Sequence, residues 1–164
     1  PNVEEELINE KVEAVEEYYK SIVEDVREII RVAKIKPTRI IFYIAPQWQY
    51  RLFNDMIKLV INGASMKEVM RTIMSKSEYR SRGKEVASIV KRLYDVILSM
   101  KPIMKEFLAK SSFDEKEVLQ MNIQHLIKEF NVKEVKIYSA EKAEYDPSRK
   151  ARYALPYKPA IYIE

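Results

Sequence analysis

The sequence of 164 residues contains no cysteine, a single histidine and only two glycines. The lack of cysteine excludes disulfides, thiolate metal sites and a thiol nucleophile, and it favours a reducing compartment. Gly63 and Gly83 are too far apart for a phosphate-binding loop, which needs two or three glycines within about eight residues. The lone histidine, His125, excludes a pair of histidine metal ligands, and we expect it to be exposed or at a helix cap rather than to act as a general base. No catalytic residue and no metal site are predicted.

Long apolar runs are also missing. No stretch of about 18 apolar residues exists, and the first thirty residues are acidic, unlike a secretory signal. We therefore expect a cytoplasmic protein without membrane contact.

The chain begins with Pro-Asn-Val instead of Met, which suggests a piece of a longer or processed polypeptide. What the chain does have is 47% hydrophobic residues, which is enough for a buried core.

The net charge of +4 combines two very different parts of the chain. Residues 1–30 contain ten acidic and three basic side chains, a balance of −7, so residues 31–164 have a balance of +11. A basic body of this kind is typical either of a surface that attracts phosphate groups or of a solvated surface without a ligand. Charge alone leaves both interpretations open.

Residues 1–36 predict one long amphipathic helix that ends before Pro37. Such a helix suits either half of a coiled coil or, as we favour, packing along a helical bundle or the next domain. The apolar positions alternate three and four residues apart, at Ile8, Val12, Val15, Tyr19, Ile22, Val26, Ile29 and Ala33.

The rest of the chain predicts three strands and several helices. Residues 38–45 are apolar, rich in β-formers and bounded by prolines, which is typical of a central strand; residues 135–140 and 160–163 have similar composition. Residues 75–84 are predicted to be a loop or a frayed helix end. Helices are predicted at 47–62, with a left-handed cap at Gly63, from a capping box at Ser65-Met-Lys-Glu68, at 84–100, and from Pro102 to Lys110. A further helix is predicted from a second capping box at Ser112-Phe-Asp-Glu115 to Phe130, with Asn131 as its cap.

This order of elements predicts an α/β fold that is mostly helical. Several helices cover a small sheet, which includes a parallel pair because a long helical region separates the first two strands. Residues 141–158 lack periodicity and contain Pro147 and Pro156, and residues 141–164 together are predicted to form an extended arm. We therefore expect a helix at 1–36 that leads from an upstream part, followed by a domain at 37–164.

Two basic groupings are candidates for phosphate binding. The first is in the predicted loop, at Arg80, Arg82 and Lys84, beside Tyr79. The second is in the arm, where aromatic and basic residues interleave in an irregular segment that suits unstacked RNA bases and their backbone. The alternative for each tyrosine is that it pins the arm onto the domain. The members of this second grouping are Tyr145, Arg149, Lys150, Arg152, Tyr153, Tyr157 and Lys158.

Two strings of residues resemble a known family. The string from Asp146 to Glu164, Asp-Pro-Ser-Arg-Lys-Ala-Arg-Tyr-Ala-Leu-Pro-Tyr-Lys-Pro-Ala-Ile-Tyr-Ile-Glu, is similar to the extreme C terminus of archaeal and eukaryotic-type leucyl-tRNA synthetases. The string from Lys36 to Trp48, Lys-Pro-Thr-Arg-Ile-Ile-Phe-Tyr-Ile-Ala-Pro-Gln-Trp, resembles a strand and turn in the C-terminal region of that family. With the helix order, the resemblance covers essentially the whole chain.

The resemblance implies a non-catalytic tRNA-recognition domain of an enzyme that joins leucine to its tRNA with ATP and magnesium. The chain itself would need no cofactor. Its partners would be leucine tRNA, through the long variable arm and elbow, and the upstream catalytic and helical domains of the same chain, in a monomer. Matching positions imply tRNA contacts at Lys150, Lys158, Tyr162, Ile163 and Glu164, the last through backbone and carboxylate acceptors. Charge adds Arg80, Arg82, Lys84, Arg149 and Arg152 to the predicted tRNA-binding residues.

A second class of function stays open from the residues alone. The chain would then be a helical protein-interaction module with no nucleic-acid role, in which the long acidic helix binds another protein and the basic surface is merely solvated.

Overall fold

A computed structural model describes residues 2–164, and the chain divides into two compact units. Unit 1 contains the chain up to Pro46 and then Ser112–Glu164, and unit 2 contains Gln47–Ser111. The predicted division at residue 36 into a helix and a domain stays a prediction. In chain order the elements are helix α1 (Val3–Ala33), strand β1 (Arg39–Ile44), helices α2 (Gln47–Ile61), α3 (Met66–Met74), α4 (Ser77–Arg80), α5 (Gly83–Ser99), α6 (Pro102–Leu108), α7 (Glu115–Met121) and α8 (Ile123–Phe130), and strands β2 (Glu134–Ser139) and β3 (Ala160–Ile163).

The sheet of unit 1 has the strand order β2-β1-β3. Strand β1 pairs in parallel with β2 and antiparallel with β3, and Ile40–Ile44 are buried. A fully apolar strand belongs at the centre of a sheet because both of its faces are covered. The predicted fold class, mostly helical with a small sheet that includes a parallel pair and a long first helix, is confirmed. No helix of residues 2–164 has the length and apolar character to cross a membrane.

Helix α1 packs on the rest of unit 1 through its middle part, from Ala14 to Val26. The buried positions are Ala14, Tyr18, Ile22 and Val26, four residues apart. The predicted apolar face of this helix is therefore wrong at Tyr19, since Tyr18 lies in the core and Tyr19 is only half-buried. Toward the start of the helix, no other part of residues 2–164 buries the apolar side chains, and they are exposed. These are Val3, Leu7, Ile8 and Val12, between 37% and 79% exposed.

Local capping chemistry fixes several helix ends as predicted. Ser65 and Glu68 form the predicted capping box of α3, and Gly63 has φ +89 after α2. Asn131 ends α8 in the left-handed region, at φ 51. The second predicted capping box is wrong, because Asp114 and not Ser112 caps α7, accepting from the amides of residues 116 and 117. The predicted single helix from Glu115 to Phe130 is likewise two helices.

The two helices are separated by Asn122. Its backbone leaves helical geometry, at φ −111 and ψ 11, and its side-chain amide donates to the Val118 carbonyl at 2.7 Å. Asparagine breaks helices in this way because its side chain competes for backbone hydrogen bonds. The predicted loop at 75–84 also differs, since it contains the short helix α4 and leads directly into α5.

Glu115 explains why the second capping box does not form. Its side chain is not at the surface but only 2% exposed, and it accepts two hydrogen bonds from distant parts of unit 1. The Tyr18 hydroxyl donates to Oε1 at 2.6 Å, and the Tyr157 amide donates to Oε2 at 2.8 Å. The ring of Phe113 contacts both tyrosine rings edge-on, with centroids 5.2 and 5.1 Å away. Glu115 thus connects α1 and α7 with residues 141–164, which we call the terminal segment.

Unit 2 is a helical cluster in which α2 packs against α3, α5 and α6. The short helix α4 packs against α3 and α5. The helices predicted at 47–62 and 84–100 are present as α2 and α5, and each buries one apolar face. The buried apolar residues are Leu52, Phe53, Met56, Ile57, Val60, Val86, Ile89, Val90, Leu93 and Ile97.

Replacing Glu115 with Ala is expected to destabilise unit 1 by about 2–5 kcal/mol, because the substitution removes the buried carboxylate that accepts from the Tyr18 hydroxyl and the Tyr157 amide. Chemical denaturation monitored by circular dichroism measures the change. Glu117→Ala is the matched control, since Glu117 lies on the same helix but is exposed. Equal stability of the two variants would contradict the structural role of Glu115.

Candidate nucleic-acid interface

The first predicted basic grouping lies in unit 2, around the junction of α4 and α5. Arg80 is the last residue of α4, Arg82 is the N-cap of α5, and Lys84 is in the first turn of α5. All three side chains are exposed. Among the residues that the structure describes, none of the three has an ion-pair partner, so their charges are available to an anionic ligand.

Helix α4 is anchored to α2 through Asp55. The Tyr79 hydroxyl donates to Asp55 Oδ2 at 2.7 Å, and Lys76 Nζ lies 3.4 Å from the same oxygen. Burial, and then this hydrogen bond, raise the pKa of the Tyr79 phenol above its ordinary value. Tyr79 is only 4% exposed, so it fixes the position of the basic residues instead of offering an aromatic face to a ligand.

Trp48 is a candidate residue that the charge pattern did not indicate. The guanidinium carbon of Arg82 lies 4.7 Å from the centre of the Trp48 ring, which is a cation–π contact. Trp48 is half-buried in the first turn of α2. The only available signal was that it is the single tryptophan of the chain, since the contact joins residues 34 positions apart in sequence.

The second predicted grouping lies in unit 1, in the segment 141–164. The backbone is irregular as predicted, with 3₁₀ turns at Ala140–Lys142 and Ala151–Tyr153. The segment nevertheless packs onto unit 1, because Ala151, Ala154, Leu155 and Tyr157 are buried. For Tyr157 the alternative interpretation therefore holds: it pins the segment instead of presenting a free face.

Tyr145 is a second pinning residue. Its hydroxyl donates to Glu164 Oε1 at 2.8 Å, which raises the pKa of the phenol, and its carbonyl accepts from the Tyr43 hydroxyl at 2.6 Å. Arg39 lies over the ring, with its guanidinium carbon 5.2 Å from the centroid. The Tyr162 ring meets the Tyr145 ring edge-on. Glu164 and Tyr162, both predicted tRNA contacts, thus also participate in packing.

Strand β3 has one backbone edge that no further strand covers within residues 2–164. Arg39 and Glu164 exchange both of their backbone hydrogen bonds, at 2.8 and 3.0 Å. In an antiparallel pair the amide and carbonyl of the neighbouring residue point the opposite way. The backbone groups of Ile163 therefore face away from β1, whereas the Glu164 carbonyl is occupied by the amides of Thr38 and Arg39.

Residues 146–154, which we call the terminal turn, hold the predicted cations Arg149, Lys150 and Arg152. The Asp146 carboxylate accepts from the amides of Lys150 and Ala151, at 2.7 and 3.1 Å, and fixes the backbone. The three cationic side chains are exposed, and none has an ion-pair partner in the part of the chain described. The 3₁₀ turn within this segment contacts β3, so these cations are close to that strand.

Lys158, another predicted tRNA contact, has a different environment. Its ammonium lies 2.8 Å from Asp25 Oδ2 on α1, so its charge is locally balanced. The predicted residues thus form two separate groups. Arg149, Lys150, Arg152, Lys158, Tyr162, Ile163 and Glu164 belong to unit 1, and Arg80, Arg82 and Lys84 belong to unit 2.

His125 is exposed, as expected, and interacts with α1. Its Nδ1 is hydrogen-bonded to the Tyr19 hydroxyl. Burial and the nearby Glu129 carboxylate raise the pKa of Tyr19 to about 12, so this phenol is neutral at physiological pH. No group of three or more potential metal ligands occurs among residues 2–164.

The known proteins that are similar to this chain are aminoacyl-tRNA ligases. Specifically, its homologues are archaeal leucyl-tRNA synthetases, as the resemblance of the two strings predicted. No protein-family model matches the sequence.

The similarity to individual leucine–tRNA ligases extends over the full chain. The chain is 37% identical to that of Methanocaldococcus jannaschii over 166 residues, which is 100% of this chain and 15% of the relative. The corresponding values are 35% for Methanococcoides burtonii, with 100% and 17% covered, and 34% for Pyrococcus abyssi, with 100% and 15% covered. The chain therefore spans about one-sixth of the length of these relatives.

Deleting residues 160–164 is expected to lower the melting temperature of unit 1 by several degrees, because the deletion removes β3 and the bonds of Glu164 to β1. Thermal denaturation followed by circular dichroism measures this. Lys158→Ala is a suitable control, since it removes only an exposed ion pair worth less than about 1 kcal/mol. A deletion variant as stable as the control would show that β3 is dispensable for the fold.

Proposed function

We propose that this chain is a tRNA-recognition domain of a leucyl-tRNA synthetase and that it contacts the long variable arm and elbow of leucine tRNA. The observation that supports this most is the similarity to leucine–tRNA ligases over the whole of this chain, together with a cluster of cations that have no ion-pair partner among the described residues and lie in a turn that contacts β3. ATP, magnesium and the joining of leucine to tRNA belong, in this proposal, to other parts of a longer polypeptide.

The terminal turn supplies the phosphate contacts in this proposal. Arg149, Lys150 and Arg152 are exposed and unpaired, so they can replace the counterions of an RNA backbone without first breaking an ion pair. Arginine adds a planar pair of donors that matches phosphate oxygens. The Asp146 cap holds the backbone of the turn, which reduces the entropy lost on binding.

The edge of β3 supplies a contact of another kind. The Ile163 amide and carbonyl face outward, and one donor with one acceptor can pair with the edge of an unpaired base. In this proposal Ile163 contacts the RNA through its backbone groups. Tyr162 and Glu164 then support the site by holding the strand, and Lys158 contributes charge only in competition with Asp25.

The junction of α4 and α5 in unit 2 supplies a second basic contact. Arg80, Arg82 and Lys84 are held by the anchor of Tyr79 on Asp55. These three cations can replace counterions of an RNA backbone in the same way as those of the terminal turn.

The exposed start of α1 favours a protein contact in addition. Four apolar side chains, Val3, Leu7, Ile8 and Val12, are exposed there between glutamates. We propose that another part of the same longer polypeptide covers this stripe, because the chain spans only 15–17% of its relatives. A second copy is disfavoured, since the flanking glutamates of two copies would repel each other.

Binding to leucine tRNA with and without its long variable arm tests the main proposal. We expect weaker filter binding when the arm is removed, and a linear fall of log affinity with log salt. Arg149→Ala combined with Lys150→Ala is expected to weaken binding and to reduce the salt slope by about 0.7–0.9 for each phosphate that is no longer neutralised.

The matched control is Lys116→Ala combined with Lys128→Ala, which removes the same charge from exposed positions of α7 and α8 in unit 1. Equal affinity for the two RNAs would contradict recognition of the variable arm. Equal weakening by both double variants would show that only overall charge matters.

For α1, replacing Ile8 and Val12 with Gln is expected to leave the melting temperature nearly unchanged, whereas Ile22→Ala, at a buried position, should cost about 2–5 kcal/mol. Thermal denaturation measures both. We expect light scattering to show a monomer for the unaltered chain. A dimer that dissociates in the Ile8→Gln, Val12→Gln variant would instead assign the stripe to a second copy.

A further inference from the structure

Tyr153 is distinct from the other aromatic residues of the chain. Among the described residues, it is the one aromatic residue whose side chain belongs to the exposed large hydrophobic group, and it is 53% exposed. The neighbouring tyrosines of the terminal segment have packing roles: Tyr157 is 6% exposed, and Tyr145 is bonded to Glu164. No core contact therefore accounts for the aromatic ring at position 153.

The backbone presents this ring outward in a fixed way. Ala151 and Ala154, one on each side of Arg152 and Tyr153, are buried at 8% and 2% exposure. The Tyr153 amide donates to the Lys150 carbonyl at 2.9 Å, and the Ala154 amide donates to the Ala151 carbonyl at 3.1 Å. The two buried alanines thus hold a single 3₁₀ turn whose middle residues face solvent.

A cationic side chain lies over the Tyr153 ring. The guanidinium carbon of Arg152 lies 4.7 Å from the centre of the Tyr153 ring, in a cation–π contact. A planar guanidinium over an aromatic ring leaves a flat, cationic surface. Arg149 and Lys150, which are exposed and unpaired, lie within four residues and can hold the phosphates that flank a bound base.

We propose that Tyr153, with Arg152, is a stacking site for an unpaired nucleobase. The inference rests on the proposed function, which supplies an RNA, and it adds the way in which a base is held. Stacking on an aromatic ring tolerates any base and requires no groove, so the ligand class is a single-stranded or flipped-out nucleotide. The exposed ring, the cation over it and the adjacent phosphate-binding side chains favour RNA over a protein partner.

The test measures binding to leucine tRNA whose unpaired variable-arm nucleotides are intact or replaced one at a time by abasic residues. An abasic residue keeps the phosphate but removes the stacking partner. We expect Tyr153→Ala to weaken binding to intact tRNA about 5- to 150-fold, the range for removal of one base stack. One abasic tRNA should bind the unaltered protein as weakly, and Tyr153→Ala should weaken its binding no further.

Three further variants separate stacking from other effects. Tyr153→Trp should keep the affinity, Tyr153→Leu should reduce it because leucine lacks a planar ring, and neither should alter the salt slope, since no charge changes. Met121→Ala is the control, because it truncates another exposed apolar side chain of unit 1. Melting temperatures confirm that each variant is folded.

The outcomes distinguish this inference from the function on which it rests. If the unaltered protein fails to bind leucine tRNA, both are overturned. If it binds but Tyr153→Ala binds equally well, or if the weakening is the same for intact and for every abasic tRNA, stacking on Tyr153 is overturned and the tRNA-binding proposal stands.

Discussion

The arrangement of unit 1 depends on one buried carboxyl group, that of Glu115. It joins α1 to the terminal segment through the Tyr18 hydroxyl and the Tyr157 amide, which lie 97 and 42 residues away in sequence. Tyr157 needs this support. It follows Pro156 in a turn closed by two backbone hydrogen bonds between Leu155 and Lys158, and it has φ 62, where glycine is usually preferred. A non-glycine residue there costs about 1–3 kcal/mol, which the bond to Glu115 and the packing on Phe113 offset.

This anchoring determines what the terminal segment can do. The Pro156 turn is fixed by Glu115, and β3 is fixed by its pairing with β1, so the terminal turn just before them has little freedom. A binding loop held in this way loses less conformational entropy when a ligand binds than a free arm would. A segment whose composition predicted an arm is therefore better suited to positioning side chains than to wrapping around a ligand.

The sequence predicted the features that depend on neighbouring residues. The central strand follows from an apolar run between prolines, and the ends of α2, α3 and α8 follow from Gly63, Ser65 and Asn131, because caps involve residues within about four positions. The errors share another origin. Ser112 and Glu115 have the spacing of a capping box, yet Glu115 is recruited by residues far away in sequence, and Asp114 caps the helix instead.

The same limit applies to the candidate site. Composition grouped Tyr145, Tyr153 and Tyr157 together, because nothing local distinguishes them. Their environments differ through contacts with Tyr43, Glu164 and Glu115, all distant in sequence or dependent on strand pairing. Similarly, Tyr18 and not Tyr19 lies in the core because its hydroxyl has a buried partner there. Helical periodicity alone cannot predict such a partner.

The charge balance of +11 in residues 31–164 also says less about where an anionic ligand could bind than the pairing of individual charges does. Hydrogen bonding to Arg31 lowers the pKa of Glu28 below its ordinary value, and such pairs keep both groups charged while leaving little net field. Several cations of unit 1 are matched in this way, namely Arg27 with Glu129, Arg39 with Glu134 and Glu164, and Lys158 with Asp25. The terminal turn is an exception because its own carboxylate, Asp146, is bonded to backbone amides and does not pair with the cations. A phosphate that reached this turn would meet cations without an ion-pair partner among the described residues, so in the proposed function the position of such cations matters more than their number.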